Sequence, residues 1–241
     1  MLFEGNIAIK AALLSPFRDV IKILVDKTKK DRDTIFILKK AKEQKVPIEY
    51  TTRDFIDNIS TGKTHGGFVA YVEDRKYQNL EDYLEKASFL ALVEGIEDPY
   101  NFGYILRSLY AAGCDAIITN ERNWSNAANV VVKASAGASE HLAHICVKQF
   151  KAALSTLKEH NTQIVCSMRD DSAIELYEYD FTHPICICIG GEKRGLSKEV
   201  LQEANQNVYI PYNSDFRNAL NAVSATTILA FEIVRQRKRS K

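Results

Sequence analysis

The sequence predicts an α/β protein: a small front unit, then a larger unit built on a mostly parallel sheet with helices on both faces. Three observations carry this prediction. From Ser88 onward short apolar stretches alternate with helical ones, the pattern of strands joined by crossover helices. The 241 residues are 46% hydrophobic and 26% charged, an ordinary globular composition with enough chain for a real core. The first 80 residues alternate on a smaller scale, and the polar, acidic stretch Lys76–Lys86 separates them from the rest. The expected division is residues 1–76, a linker at 77–87 and a second domain at 88–241.

In the front unit Gly5–Leu14 reads as a helix ended near Ser15-Pro16. Val20–Val25 is helical or extended, and its periodicity does not decide between them. The β-branched, apolar Asp33–Leu38 predicts a strand, and Ala41–Lys45 the end of a short helix. Pro47–Tyr50 reads as a strand, Arg53–Asn58 as a helix, and Gly66–Val72 as a strand after a glycine turn.

In the second unit the expected strands are Phe89–Val93, Ala116–Thr119, Ala143–Val147, Ile164–Met168, Ile185–Ile189 and Val208–Ile210. The expected helices are Asn101–Ala112 (stopped by Gly113), Asn126–Lys133, Phe150–Glu159, Lys198–Ala204 and a long closing helix, Asn221–Arg237. Ligands of such sheets sit beyond the carboxyl ends of the strands, so informative residues should follow strands.

Composition excludes several classes. Ten percent aromatic residues and a net charge of +1 are not a disordered signature. Apolar stretches such as Ala222–Phe231 fall short of the ~18 residues a spanning helix needs. The start, MLFEGNIAIKAALL, carries Glu4 and Lys10 and is no secretory signal, so the cytoplasm is expected. The five cysteines, Cys114, Cys146, Cys166, Cys186 and Cys188, lack metal spacing and read as reduced core residues, the last two on one strand face. The histidines show no metal pattern either, and His141-x-x-His144 lacks a third ligand. Charge is asymmetric: residues 1–80 hold 15 basic and 11 acidic side chains, and the last seven residues, RQRKRSK, hold five basic ones. Lys27, Lys29, Lys30 and Arg32, then Lys39, Lys40, Lys42 and Lys45, form the densest basic run. Such patches suit a polyanion, and equally a solvated face.

Three constellations follow strands. The first is EGIEDPYNFGYILR (Glu94–Arg107), a Gly/Pro loop leading to Asn101, a normal helix N-cap, and to Arg107, whose guanidinium fork suits phosphate. The second is IGGEKRGLS (Ile189–Ser197), where paired glycines permit close backbone approach, Glu192 stands at the mouth and Ser197 is placed to cap the next helix. It is neither a P-loop nor a G-x-G-x-x-G dinucleotide turn. The third is IPYNSDFRNALNAVSA (Ile210–Ala225), a polar loop entering a small-residue helix, with Asn218 and Asn221 beside a surface that packs closely. Each of these amides is either a structural bridge or a ligand contact. No G-x-S-x-G nucleophile elbow is present.

Together and in this order, EDPYNFGYILRS, IGGEKRGLS and IPYNSDFRNALNAVSA resemble the three motif blocks of the SpoU (TrmH) family of RNA ribose 2′-O-methyltransferases, of the SPOUT class. KASAGASEH (Lys133–His141) resembles a further family segment. The front unit, from FEGNIAIKAAL to THGGFVAYV, is similar to the family's small RNA-recognition domain, so the resemblance spans essentially the whole chain. It implies a C-terminal trefoil knot, S-adenosylmethionine bound in that knot, an RNA substrate (rRNA ahead of tRNA), and a homodimer whose active site draws on both subunits. Neither metal nor membrane is implied. Carried over, Asn101, Arg107, Glu192 and Asn221 are the catalytic residues. The cofactor would lie against Gly190, Gly191, Glu192, Ile210, Leu220 and Asn221, with Ser135, Ala136 and Gly137 nearby. This chain departs from the family in one extra residue between Ile210 and Leu220, in Ala219 and Val223 where serines are usual, and in Gly66 where a Gln is common. Two other readings stay open: a non-catalytic RNA-binding or ribosome-assembly factor on the same scaffold, and a nucleotide-dependent α/β metabolic enzyme, against which the missing phosphate-binding glycine pattern argues.

Overall fold

The computed structural model describes residues 1–62, 64–121 and 125–239. Ser240 and Lys241 of the basic tail therefore lie outside the described residues. Chain order gives β1 (Leu2–Glu4), α1 (Asn6–Leu14), β2 (Val20–Asp26), α2 (Arg32–Glu43), β3 (Ile48–Thr51), α3 (Arg53–Ile59) and β4 (Phe68–Val72). Then come β5 (Phe89–Glu94), α4 (Pro99–Ala111), β6 (Ala116–Asn120), α5 (Ala128–Ala134), β7 (Ala143–Val147), α6 (Phe150–Glu159), β8 (Gln163–Ser167) and β9 (Ile174–Glu175). The chain closes with β10 (Ile185–Gly190), α7 (Lys198–Gln202), β11 (Gln206–Tyr209) and α8 (Ala222–Arg239).

Two compact units form. The first holds residues 1–76 and the described part of 123–141; the second holds 77–122 and 142–241 as far as they are described. In the first unit a four-stranded sheet runs in the order β1-β4-β2-β3, with only β2 and β3 parallel. Phe3, Ile9, Ile23, Ile37 and Phe68 form its main core, joined by Val132 of α5. A smaller cluster of Leu24, Ile56 and Val69 lies under α3.

The stretch 128–140 is tied into this unit by polar contacts. The Glu4 amide donates to Asn129 Oδ1 at 3.0 Å, and Ser15 Oγ donates to the Glu140 carbonyl at 2.7 Å. Arg18 Nε meets Glu140 Oε2 at 2.7 Å with both side chains buried, and Arg75 donates to the Ser139 carbonyl. Gly137 has φ +89° and sits where a Cβ would come within 2.8 Å of the Ala11 side chain, so only glycine fits there.

Asp33–Leu38 is not a strand. It lies inside α2, because Asp31 caps the helix by accepting from the Thr34 amide, and Thr34, Ile37 and Ala41 make one buried stripe. Val20–Val25, ambiguous in sequence, is the strand β2. The stretch around residues 77–87 holds a single 3₁₀ turn, Leu80–Tyr83.

The second unit is a seven-stranded sheet in the order β7-β6-β5-β10-β8-β11-β9, parallel throughout. The chain starts at the centre with β5, builds outward through β6 and β7, returns to β8, and later inserts β10 between β5 and β8. Four strands then end side by side, at Glu94, Gly190, Ser167 and Tyr209. Leu92, Ile187, Val165, Ile105 and Leu229 are fully buried around the sheet. The helices α4 and α8 pack on each other, with Ser108 and Thr227 hydroxyls 2.7 Å apart. All five cysteines are free thiols, and Cys166, Cys186 and Cys188 are wholly buried. The Cys166 and Cys186 thiols, together with burial, push the Cys188 thiol well above its ordinary range, so it stays protonated. No helix among the described residues is long and apolar enough to cross a membrane.

Candidate active site

The site is built where the four central strands end. After β10, Gly190 and Gly191 are required by packing. A Cβ on Gly190 would come within 2.3 Å of the Gly195 backbone, and one on Gly191 within 2.2 Å of the Gly95 carbonyl oxygen. The turn that follows closes on itself, the Gly195 amide donating to the Gly191 carbonyl at 2.8 Å. Glu94, at the end of β5, accepts from the Ser197 amide at 2.8 Å. Ser197 therefore starts α7 with its amide held, while its hydroxyl makes no cap.

Around this turn lies a cavity of about 370 Å³. Its walls come from Ser167, Met168 and Arg169 at and after the end of β8, Ile189–Glu192, Gly195 and Leu196 around the end of β10, Val208–Ile210 and Tyr212 at and after the end of β11, Arg217–Leu220 in the following loop, and Ala222 and Ala225 of α8. The lining combines apolar side chains and glycine backbone with the polar side chains of Arg169, Glu192, Tyr212, Arg217 and Asn218, a make-up that suits a small molecule with polar ends. Tyr212 shapes the loop by accepting the Leu220 amide at 2.9 Å. The Tyr209 hydroxyl donates to Glu175 Oε1 at 3.3 Å. Burial and then the Glu175 carboxylate raise the Tyr209 phenol, so it stays a neutral donor.

A second hollow, about 340 Å³, is lined by Gly95, Ile96, Glu97, Asp98, Asn101, Glu192 and Lys193. Lys193 pairs with Glu97 at 2.6 Å on its rim. Glu192 is the one residue common to the linings of both spaces. Its exposed carboxylate thus stands between the glycine-cradled cavity and the Asn101 hollow.

Not every expected role survives. Asn101 is not the N-cap of α4. Asp98 is, accepting from the Tyr100 amide at 2.8 Å, with Pro99 as the first helical residue. Asn101 falls in the first turn and its amide is left to the hollow. Asn218 and Asn221 are both exposed rather than pinned in a tight surface. Asn221 caps α8, its Oδ1 accepting the Ser224 amide at 2.8 Å, and Asn218 lines the cavity. Gly190, Gly191, Glu192, Ile210 and Leu220 line one and the same cavity. Arg107 is exposed on α4 and lines neither space. Ser135, Ala136 and Gly137 belong to the first unit. His144 is buried on β7, with Nε2 2.8 Å from the Thr119 hydroxyl. Sequence reading missed Ser167, Met168, Arg169, Tyr209 and Tyr212. Their only signal was position, directly after the strands β8 and β11 or at their ends.

A parallel α/β sheet with a glycine-cradled cavity at its strands' carboxyl ends defines an α/β protein with a small-molecule site at that edge. Known proteins narrow this. Residues 88–231 match the SpoU rRNA Methylase family model, and residues 2–78 match the model for RNA 2′-O ribose methyltransferase substrate binding. The chain is 30% identical to a TrmH family tRNA/rRNA methyltransferase of Staphylococcus saprophyticus, over 98% of this chain and 96% of that one. It is 30% identical to the 23S rRNA (guanosine-2′-O-)-methyltransferase RlmB of Yersinia pestis, over 98% and 97%. Its fold matches the SpoU methyltransferase AviRb of Streptomyces viridochromogenes with TM-score 0.81 at 22% identity, covering 100% of this chain and 91% of that one. The AviRb complex with AdoMet matches with TM-score 0.79 at 22% identity, covering 99% and 90%. The chain belongs to the SpoU rRNA methylase family. Its activity is the family's, S-adenosylmethionine-dependent methylation of RNA ribose 2′-hydroxyls.

Proposed function

We propose that this protein methylates a ribose 2′-hydroxyl of ribosomal RNA, with the cofactor in the glycine-cradled cavity and the target ribose in the Asn101 hollow. The observation that carries this reading is the position of Glu192, which lines both spaces. Cavity volume, apolar walls and backbone cradle fit a nucleoside-sized cofactor. The Yersinia relative, named for 23S rRNA, favours rRNA over tRNA. The family's trefoil knot is taken over with the family, and the late insertion of β10 between β5 and β8 and of β11 beside β8 is the topology that supports it. RNA recognition is assigned to the first unit, whose exposed lysines would bind phosphates, and the cytoplasm is where such an RNA would be met. A non-catalytic role is disfavoured, because the cradle, Glu192 and Asn101 are all retained.

S-adenosylmethionine, when bound, supplies an electrophilic methyl group on a sulfonium. The chain's task is to hold the 2′-oxygen in line and remove its proton. Glu192 and Asn101 face the same hollow, so Asn101 orients the hydroxyl while the Glu192 carboxylate accepts the proton directly or through water. A guanidinium is a fork of hydrogen-bond donors, and Arg107 is assigned as a donor and not as the base. Its role is to clamp the adjacent phosphate and stabilise developing alkoxide charge. Because Arg107 lines neither space in its own chain, a homodimer is proposed in which the partner subunit's Arg107 completes each site. Support comes from the face of α4 that it shares with the exposed Tyr100, Tyr104 and Tyr110, at helical spacing from it.

The division of labour is tested with Arg107→Lys. Cofactor affinity should stay within about twofold, while single-turnover methylation falls roughly 100-fold or more, the scale for losing one transition-state donor. Equal loss of cofactor affinity and rate would overturn the assignment.

A further inference from the structure

We propose that Arg169 is a cofactor-binding residue that receives a carboxylate, the α-carboxylate of the amino-acid end of S-adenosylmethionine. This rests on the cavity being the cofactor site. The lining of that cavity carries three charged side chains among the described residues: Glu192, Arg169 and Arg217. A ligand that ends in an ammonium and a carboxylate needs both signs, and the single acid cannot serve the carboxylate.

Arg169 and Arg217 differ in how they are held. Arg169 follows β8 by two residues, directly after Met168, whose amide donates to the Val208 carbonyl at 3.0 Å. Its guanidinium lies over the Tyr209 ring, 5.4 Å from the centroid. Tyr209 is itself the last residue of β11, and its hydroxyl is bonded to Glu175 on the neighbouring strand β9. Tyr209 therefore forms a fixed platform, and stacking holds the fork of Arg169 in place while leaving its N–H groups free. No carboxylate pairs with Arg169 among the described residues, so its charge is not neutralised within the fold. Arg217 sits exposed in the loop between β11 and α8, and no ring or carboxylate fixes it among the described residues. A preorganised cation contributes more to binding than a mobile one, because less side-chain freedom is lost when the ligand arrives.

The test compares two ligands by calorimetry. S-adenosylhomocysteine carries the amino-acid end, and 5′-methylthioadenosine lacks it. For Arg169→Gln, affinity for S-adenosylhomocysteine should fall about 10–100-fold, the range for a charge-assisted hydrogen bond. Affinity for 5′-methylthioadenosine should change less than twofold. Arg169→Lys keeps charge without the fork and should fall in between, and Arg217→Gln should cost less than threefold. The Arg169 side chain is exposed, so these variants should keep the wild-type Tm. Equal losses for both ligands would overturn the proposal in favour of a contact with the adenosine end. Unchanged ligand affinity with weakened RNA binding would overturn it in favour of an RNA phosphate contact. A wild-type protein that binds neither ligand would instead sink the assignment of the cavity, a separate failure.

Discussion

At Gly191 the site leaves no room for even one carbon. A Cβ would stand 2.2 Å from the Gly95 carbonyl oxygen and 2.6 Å from its carbon, both backbone atoms that cannot rotate away. Gly191→Ala should therefore force the 191–195 turn off the 94–97 turn. The expected cost is about 1–3 kcal/mol, the usual range for overpacking. Cofactor affinity should collapse as the two hollows on either side of Glu192 are distorted. Calorimetric unfolding and cofactor titration check this together, and a variant with wild-type Tm and affinity would show that the close approach is not required. The need for glycine here was readable as a doublet after a buried strand, but not its cause, since Gly95 lies 96 positions earlier in the chain. Likewise Asn101 looked like a cap because an Asn precedes a helical pattern. Asp98 and Pro99 take that role through the Tyr100 amide, and Asn101 is free for chemistry.

Helices and strands were legible where one period dominates, as in β5, β10 and α6. The reading of Asp33–Leu38 as a strand failed because β-branched residues outweighed a buried stripe that continues past them to Ala41. The Asp31 cap decides the matter locally. Its carboxylate accepts from Lys29 Nζ, from the Thr34 amide and from the Thr34 hydroxyl. The Lys29 ammonium first, and then the Thr34 donors, hold its pKa far below the usual carboxylate range. A depressed carboxylate contributes stability that is present above its unfolded value of about 3.9 and lost as pH falls through the folded value. Asp31→Asn keeps a good cap but removes the charge. The wild type should thus be the more stable of the two at pH 5, and the gap should close as pH falls below about 4 toward 2. Urea midpoints across that range read it directly, and a constant gap would assign the effect to shape instead of charge. The helix α5 was expected from the sequence, but not the unit it belongs to. It lies between two strands of the second unit, yet Val132 joins the core of the first and Glu140 of the same stretch pairs with buried Arg18. Such a long-range pairing of Arg18 with Glu140 leaves no local pattern to read.

For the whole molecule, the family models match a substrate-binding segment at residues 2–78 and a methylase segment at residues 88–231, and the proposed dimer supplies what one chain lacks. Tyr104 is 43% exposed on α4, in the face that carries Arg107. Tyr104→Glu would place a charge in the core of such an interface, where charged residues are depleted. The variant should run as a monomer in sedimentation, keep cofactor binding and lose methylation. A variant that remains dimeric and active would move the interface elsewhere. Membership in the family and the order of the three motif blocks could be read in the chain. The placement of Arg107 away from both hollows could not, because it depends on how α4 packs against α8.

The most direct measurement is methyl transfer from labelled S-adenosylmethionine to total RNA from cells lacking this protein, followed by digestion to nucleosides and mass spectrometry. The account predicts one 2′-O-methylated nucleoside, arising from the ribosomal fraction and absent with Arg107→Ala. Label on a base, or no label in any fraction including assembling ribosomal particles while the folded protein binds the cofactor, would contradict it.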